Sequence, residues 1–160
     1  MTVQTMNLTA GDLGVLTLSN VVGNANVQNT GAVTVPFIQD LTLDTTAGTQ
    51  TYNVLNNSAA KTFTTTNTNQ ISLNMLVDEA TFFGDGSNAE RVANLGLLGS
   101  SISKDRVHFE LAFEGTDTGG RSVTGSGFIS GLAPVLNMEN AVVTSPMTIV
   151  IDGQITNTTV

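Results

Sequence analysis

The stretch Asp105-Arg-Val-His-Phe-Glu-Leu-Ala-Phe-Glu114 decides the fold prediction, because every second position in it holds a large apolar residue. The apolar positions are Val107, Phe109, Leu111 and Phe113, and the positions between them are Arg106, His108, Glu110, Ala112 and Glu114. Side chains on a β-strand point alternately to its two faces. The pattern therefore predicts a half-buried strand with one apolar face and one charged face.

Two more β-rich runs follow this strand, at 121–132 and at 141–152. The turn signal Asp117-Thr-Gly-Gly120 separates the first strand from the second. Short connections favour antiparallel neighbours in a sheet. We therefore expect 103–153 to form a three-stranded meander whose apolar face is covered by earlier parts of the chain.

Glycines and prolines interrupt the predicted strands at defined points. Gly125, Gly127 and Gly131 lie in the second meander strand, where glycine indicates a bulge, a bend or close approach by another backbone. Pro146 in the third strand and Pro36 in an earlier strand cannot donate a ladder hydrogen bond. Both prolines predict a bulge or an edge position.

Three earlier segments are also predicted strands, at 13–18, 32–43 and 69–77. The last of these places Ile71, Leu73 and Met75 on one face. The fold class that follows is mainly β, with two packed antiparallel sheets in a sandwich or small barrel. The chain of 160 residues fits a single domain, with an N-terminal arm at 1–10 and a polar tail at 154–160.

One short α-helix is predicted at 87–98, and it is expected to flank the sheets. Ser87 and Glu90 have the spacing of a capping box, in which each side chain bonds a free N–H group of the first turn. Apolar residues then recur at helical spacing. Gly96 weakens the middle of the helix, and Gly99 is expected to end it.

A projecting β-hairpin is predicted within 44–66, a segment that is rich in Thr and Asn and poor in apolar residues. The residues that indicate its two strands are Thr51, Tyr52, Val54, Lys61 and Phe63, with a turn at 56–58. A two-stranded hairpin is marginally stable alone in water. We expect it to be mobile in a monomer and ordered against a partner.

Composition excludes several classes of function. The chain has five Lys and Arg residues and thirteen Asp and Glu residues, for a net charge of −8. It therefore cannot form a basic surface that binds nucleic acid. Charged residues make up only 11 %, and this weakly charged surface suits an assembly better than a free monomer. No cysteine is present, and we expect no signal peptide and no membrane span.

The single histidine and the acidic residues before and at the predicted helix are the candidates for a catalytic or binding site. His108 is the only histidine, and no Gly-x-Ser-x-Gly elbow accompanies it, so a hydrolase is the weaker hypothesis. The acidic residues at 78–90 do not have the spacing of a calcium-binding loop. A carbohydrate-binding or adhesin-like module is the alternative, although aromatic residues total only 5 % and Trp is absent. We expect no catalytic residue, cofactor or metal.

Residues 65–155 resemble the major tail tube proteins of long-tailed bacteriophages. The matching features occur in order: a strand ending in acidic residues at 71–79, the helix at 87–98, the strand and turn at 107–121, a glycine-interrupted strand followed by Ala133-Pro134, and a strand that closes on Asp152-Gly153. Tube proteins of contractile injection systems share this fold.

The resemblance implies a structural role rather than an enzymatic one, and another structural protein of the virion is a further alternative. Six copies would form a ring, and rings would stack into a hollow tube through which DNA passes without specific binding. The hairpin would contact the neighbouring ring, and the tape-measure, tail terminator and baseplate proteins would be further partners. The protein would lie in the virion tail, after assembly in the host cytoplasm. Candidate residues for the lumen or the subunit interface are Asp40, Arg106, His108, Glu110 and Glu114.

Overall fold

The structure is a computed structural model that describes residues 14–21, 32–54, 57–65, 68–86, 91–113, 121–137 and 142–159. Strands dominate these residues, which confirms the mainly-β prediction. The strands are β1 (Val15–Asn20), β2 (Val33–Thr34), β3 (Ile38–Asp44), β4 (Thr49–Val54), β5 (Asn57–Thr64), β6 (Gln70–Leu76), β7 (Arg106–Phe113), β8 (Arg121–Leu132), β9 (Val135–Asn137), β10 (Val142–Ile151) and β11 (Thr156–Thr159). The two helices are α1 (Glu79–Phe83) and α2 (Arg91–Ser103).

One antiparallel sheet of nine strands contains most of these elements. Its order is β2-β1-β7-β8-β10-β6-β3, with β9 paired to β10 and β11 paired to β8. The predicted meander is confirmed, because β7, β8 and β10 are direct neighbours in this order. Strands β4 and β5 form a separate two-stranded sheet.

The main sheet closes on itself through residues 35–37. These residues connect β2 to β3, which lie at opposite ends of the strand order. The N–H group of Val35 donates to the Leu16 carbonyl in β1 at 2.9 Å, and the Leu76 N–H group in β6 donates to the Phe37 carbonyl at 3.2 Å. Consecutive Cα atoms are about 3.8 Å apart, so the two ends of the sheet meet here. The result is the barrel-like arrangement that the sequence predicted.

The single strand predicted at 32–43 is therefore two strands. Pro36 lies in the break between them, where its missing N–H group costs no ladder bond. Phe37 has a φ of 51°, which turns the chain from β1 towards β6.

The apolar faces of the strands point into the closed sheet. The members of this core include Leu16, Leu18, Ile71, Leu73, Met75, Val107, Phe109, Leu111, Ile129, Met147 and Ile149. The predicted apolar faces of β6 and β7 are confirmed. The other face of β7 is less open than predicted, because His108 and Ala112 on it are also buried.

Helix α2 covers the apolar interior beside β1 and β8, the two neighbours of β7. The N–H group of Val92 donates to Oδ1 of Asn20 at 2.8 Å, and Asn20 shares a face of β1 with Leu16 and Leu18. Val92 and Leu97 belong to the buried core. The predicted helix is thus present in part, and its predicted capping residues lie outside the described residues.

The helix runs on to Ser103, so the predicted end at Gly99 is wrong. Gly96 does interrupt it, with a φ of 66° and a ψ of −174°. The preceding helix, α1, was not predicted from the sequence. Its Asp78 cap accepts the Thr81 N–H group at 3.1 Å, and Gly84 at its end lies tightly against Gly96.

The glycines of β8 allow close contacts, as predicted. A Cβ atom on Gly125 would lie 2.8 Å from the Phe109 ring, and one on Gly127 would meet the backbone of Val150. The β8–β10 register also shifts between Thr148 and Ile149, which is the expected bulge.

Strand β10 lies inside the sheet rather than at an edge. It pairs with β6 on one side and with β8 and β9 on the other. Pro146 lies opposite the junction between β8 and β9, where Ala133 donates to its carbonyl at 3.4 Å. The missing N–H group of Pro146 therefore faces an interruption in the ladder.

The predicted polar tail at 154–160 contains a strand. Strand β11 pairs with Arg121–Thr124 of β8, beyond the point where β10 ends. Its threonines favour extended backbone, and they complete the edge of β8 that β10 leaves unpaired.

Candidate assembly surfaces

His108 lies in the interior rather than at a reaction surface. Its side chain is only 4 % exposed, although the alternation in β7 predicted an exposed position. Within the part of the chain that the structure describes, its Nδ1 atom has no hydrogen-bond partner. Burial lowers the pKa of His108 below its usual 6.5, and the charge of Glu110 opposes this shift.

The neighbouring serine does not form a nucleophile–base pair with this histidine. Ser126 lies directly opposite His108 on β8, but its hydroxyl donates to the Asp152 carbonyl at 3.2 Å. Ser126 is fully buried. This pair therefore gives no support to the hydrolase hypothesis.

The described ranges hold no group of three or more His, Cys, Asp or Glu residues that could bind a metal ion. A cavity of about 210 Å³ lies between Leu41 of β3 and Leu111 and Phe113 of β7. Ligand pockets are usually roughly 300–1,000 Å³, so this cavity is small for a ligand. Neither described helix is long and apolar enough to cross a membrane.

The outer face of β3, β6 and β10 is polar and carries no cation among its described residues. Cross-strand register aligns Asp40 with Asn74, and Thr42 with Ser72 and Thr148. Both Asp40 carboxylate oxygens accept hydrogen bonds from Nδ2 of Asn74, at 3.0 and 2.9 Å. We call this surface, with Asp44 at its end, the acidic face.

Asp44 stays ionised at the end of the acidic face. Hydrogen bonds from the hydroxyl and the backbone N–H group of Thr46 lower the pKa of the Asp44 carboxyl. The acidic face thus combines two carboxylates with hydroxyl and amide groups.

The predicted site residues on β7 do not extend the acidic face. Nε of Arg106 lies 3.3 Å from Oδ2 of Asp152, in an ion pair whose angles are not those of a hydrogen bond. Glu110 is half-buried, and Glu114 lies outside the described residues. Asp40 lies on β3, where its carboxylate accepts hydrogen bonds from Asn74 of β6. Among the four described candidates, Asp40 and Arg106 thus have different partners, and His108 is buried.

The β4–β5 hairpin has two different faces. Tyr52 lies opposite Lys61, and Phe63 is two residues further along β5, so these three side chains share one face. The rings of Tyr52 and Phe63 meet edge to face, with centroids 5.5 Å apart. Thr51 and Thr62 lie on the other face, with their hydroxyl oxygens 2.9 Å apart.

The hairpin contributes nothing to the described core. Tyr52 and Phe63 are each 48 % exposed, and Lys61 is exposed. Val54 pairs with Asn57 at the turn, after a register shift that begins at Tyr52. We call the surface of Tyr52, Lys61 and Phe63 the aromatic face of the hairpin.

A second exposed surface was not predicted. Phe37, Val135, Leu136 and Val142 are between 40 % and 68 % exposed. Val135 and Leu136 are adjacent in β9, so they point to opposite faces, and both are open. Their apolar character is visible in the sequence, but it resembles that of a core strand.

These four residues lie at one end of the sheet. Val135 pairs with Thr144 and Thr144 pairs with Leu76, whose N–H group donates to the Phe37 carbonyl. Val142 lies opposite the last residue of β9. We call this group of Phe37, Val135, Leu136 and Val142, which lies on both faces of the sheet, the apolar end.

Comparisons with known proteins bear on the fold. No profile of a known protein family matches the sequence, and no curated protein is similar to it. Solved structures that contain similar chains include the virion of a native gene transfer agent particle, with a TM-score of 0.62, and the tail of an empty gene transfer agent particle with C6 symmetry, with a TM-score of 0.63. The chain shares its fold with a protein of that tail.

The similarity extends over nearly the whole of both chains. In each comparison it covers 94 % of this chain and 98 % of the other, at 12 % sequence identity. The match to a particle tail is consistent with the tail tube fold that the sequence pattern indicated. At this identity the likeness concerns the fold.

Proposed function

We propose that this protein is a structural subunit of a tail tube, in which six copies form a ring and stacked rings form a hollow tube for DNA. The observation that carries the proposal is the fold shared with a chain of a C6-symmetric tail over 94 % of the sequence. The role is one of assembly, with no chemical step assigned to any residue.

Open strand edges support the formation of a ring. Among the described residues, β3 pairs only with β6 along its length, and β9 pairs only with β10. An unpaired edge offers a row of N–H and C=O groups to another strand. When two different surfaces of identical copies meet head to tail, the assembly closes into a ring if the rotation permits.

The acidic face is the proposed wall of the lumen. It carries Asp40 and Asp44 among neutral polar side chains, and no cation that could hold a phosphate group. DNA would therefore pass along it without sticking. Of the five candidates, Asp40 keeps the lumen role, whereas His108 is buried and Arg106 is paired with Asp152.

The proposal also gives the protein its place and partners. It would lie in the virion tail after assembly in the host cytoplasm. Tape-measure protein would fill the tube during assembly, and the terminator and baseplate proteins would bind its two ends. DNA would be a transient cargo.

Negative-stain electron microscopy and native mass spectrometry of the purified protein test the assembly. We expect rings of six copies, and tubes with a central channel at high concentration. A protein that stays monomeric at high concentration, even with preformed tube fragments as seeds, contradicts the proposal.

The lumen assignment has its own test. Tubes of the Asp40→Lys/Asp44→Lys variant should retain short double-stranded DNA at low salt, whereas wild-type tubes should not. The matched control is Glu79→Lys, which adds a cation outside the acidic face. Equal retention by the control and the double variant would remove the acidic face from the lumen.

A further inference from the structure

We propose that Ser19 and His108 bind one water molecule within the main sheet, through hydrogen bonds to Oγ of Ser19 and Nδ1 of His108. The site lies between β1 and β7, and it is independent of the proposed tube contacts. Its ligand is a single neutral molecule that can both donate and accept hydrogen bonds.

Three polar side chains form a row across three neighbouring strands. Cross-strand register places Ser19 of β1 opposite His108 of β7, and His108 opposite Ser126 of β8. Residues that lie directly opposite each other in a ladder share one face of the sheet. Phe109, the next residue of β7, points into the apolar core, so the row faces away from that core. We call Ser19, His108 and Ser126 the polar row.

The polar row is buried although it faces away from the apolar core. Its three side chains are 1 % exposed at Ser19, 4 % at His108 and 0 % at Ser126. A buried polar atom that has no hydrogen-bond partner destabilises the folded state. Nearly all such atoms in proteins are therefore bonded to protein groups or to ordered water.

Two atoms of the polar row have no hydrogen-bond partner among the residues that the structure describes. They are Oγ of Ser19 and Nδ1 of His108. Ser126 differs from them, because its hydroxyl donates to the Asp152 carbonyl at 3.2 Å. Ser19 and His108 lie directly opposite each other, and the Cβ atoms of such pairs are about 4.5–5.5 Å apart. One water molecule that bridges the two atoms would satisfy both of them.

The chemistry of the polar row fits water better than an ion. Burial lowers the pKa of His108, so the imidazole is neutral at pH 7. A hydroxyl and a neutral imidazole can each donate or accept a hydrogen bond, as water can. An anion would need a free cation, but Nε of Arg106 lies 3.3 Å from Oδ2 of Asp152. Glu110 follows His108 by two residues and would repel an anion.

A high-resolution structure of the full chain tests the water site directly. We expect a water molecule roughly 2.7–3.2 Å from both Oγ of Ser19 and Nδ1 of His108. Crystallography, or electron cryo-microscopy of tubes, gives this result whatever the state of assembly. A direct hydrogen bond between Oγ and Nδ1, or an absence of ordered water between them, would overturn the inference.

The stability of paired variants tests the bridge in solution. Ser19→Ala and His108→Leu each leave one polar atom without its bridged partner, so each should raise the unfolding equilibrium constant at least about tenfold. Ser19→Ala/His108→Leu removes both polar atoms. Its unfolding constant should therefore rise by much less than the product of the two single effects. Urea unfolding at pH 7 measures all three variants.

The matched control combines His108→Leu with Ser72→Ala. Ser72 lies on the acidic face, where it is half-buried and outside the polar row. The effects of these two substitutions should multiply, as they do for sites that share no partner. Effects that also multiply for Ser19→Ala and His108→Leu would overturn the water site and leave the tube proposal intact.

Discussion

The meander β7–β8–β10 and the hairpin β4–β5 are both built from antiparallel strands, but they depend on different sources of stability. The meander buries Phe109 and Ile149 completely, and its glycines allow tight backbone contacts. The hairpin leaves its two aromatic side chains half exposed, and it contains no glycine. Strands pair in both regions. The difference is that the meander buries its apolar face, whereas the hairpin leaves its aromatic side chains exposed.

This difference explains how one chain can hold both a stable body and an adaptable contact. A two-stranded ladder alone is marginal in water. We therefore expect the hairpin to gain order from a partner, whereas the meander is held by its pairing and burial in the closed sheet. Mutations in the two regions should separate folding from assembly.

The largest expected effect comes from a matched pair of phenylalanines. Phe109→Ala removes a fully buried ring, and it should lower the free energy of unfolding by about 3–5 kcal/mol. Phe63→Ala removes an exposed ring, and it should change that free energy by less than about 0.5 kcal/mol. Denaturant unfolding of the monomer, followed by circular dichroism, measures both. Equal losses of unfolding free energy in the two variants would contradict the proposed difference between the buried meander and the exposed hairpin.

The next effect concerns the glycines of β8. A Cβ atom on Gly127 would meet the backbone of Val150 and lie 3.1 Å from the Cα atom of Ile151. Gly127→Ala should therefore cost about 1–3 kcal/mol, because backbone cannot move aside as a side chain can. Gly131 is the control, since its nearest contact is the Thr148 side chain at 3.7 Å. A Gly127→Ala variant as stable as the wild type would show that the β8–β10 contact is looser than the short distances to Val150 and Ile151 indicate.

A smaller effect should appear as a pH dependence of the meander. The pKa of His108 is lowered in the folded state. Between this lowered pKa and pH 6.5, the unfolded chain therefore binds a proton at His108 that the folded chain does not bind. The stability that the neutral, buried His108 contributes to the folded state is fully present above pH 6.5, the usual pKa of a histidine side chain. It is lost as the pH falls from 6.5 towards the lowered pKa of the folded state.

The variant His108→Gln isolates this contribution. It removes the titrating group, so the slope of unfolding free energy against pH should flatten between pH 6.5 and the onset of carboxylate titration. Urea unfolding at closely spaced pH values measures the slope, which does not depend on the absolute stability of the variant. An unchanged slope would show that His108 is not the source of the pH dependence.

Local periodicity was enough to predict the meander, the buried face of β6 and the hairpin. Each depends on neighbours that are close in the sequence, or on alternation within one strand. The closure of the sheet could not be predicted in this way. It depends on the break at Pro36 and on the turn at Phe37, which send one continuous β-rich run to opposite ends of the sheet.

Burial was the weaker part of the site prediction for the same reason. His108 alternates as an exposed residue would, but its surroundings in three dimensions bury it. Val135 and Leu136 have the composition of a core strand, yet β9 lies at an open end. Alternation gives the relative orientation of side chains, whereas tertiary contacts determine which faces are covered.

The smallest expected effect tests whether the hairpin belongs to the cooperative unit at all. Thr51→Ala removes the hydroxyl contact with Thr62 on the exposed face. The loss should be about 0.2–1 kcal/mol within the ladder and near zero for the whole protein, because the core formed by the described residues includes none from β4 or β5. Hydrogen exchange should show fast exchange of the β4 and β5 amides in the wild-type monomer, and still faster exchange in the variant. Strong protection of these amides in the monomer, with a loss of global stability in Thr51→Ala, would show that the hairpin unfolds cooperatively with the main sheet. Its order would then not depend on a partner, and the contrast between the two regions would fail.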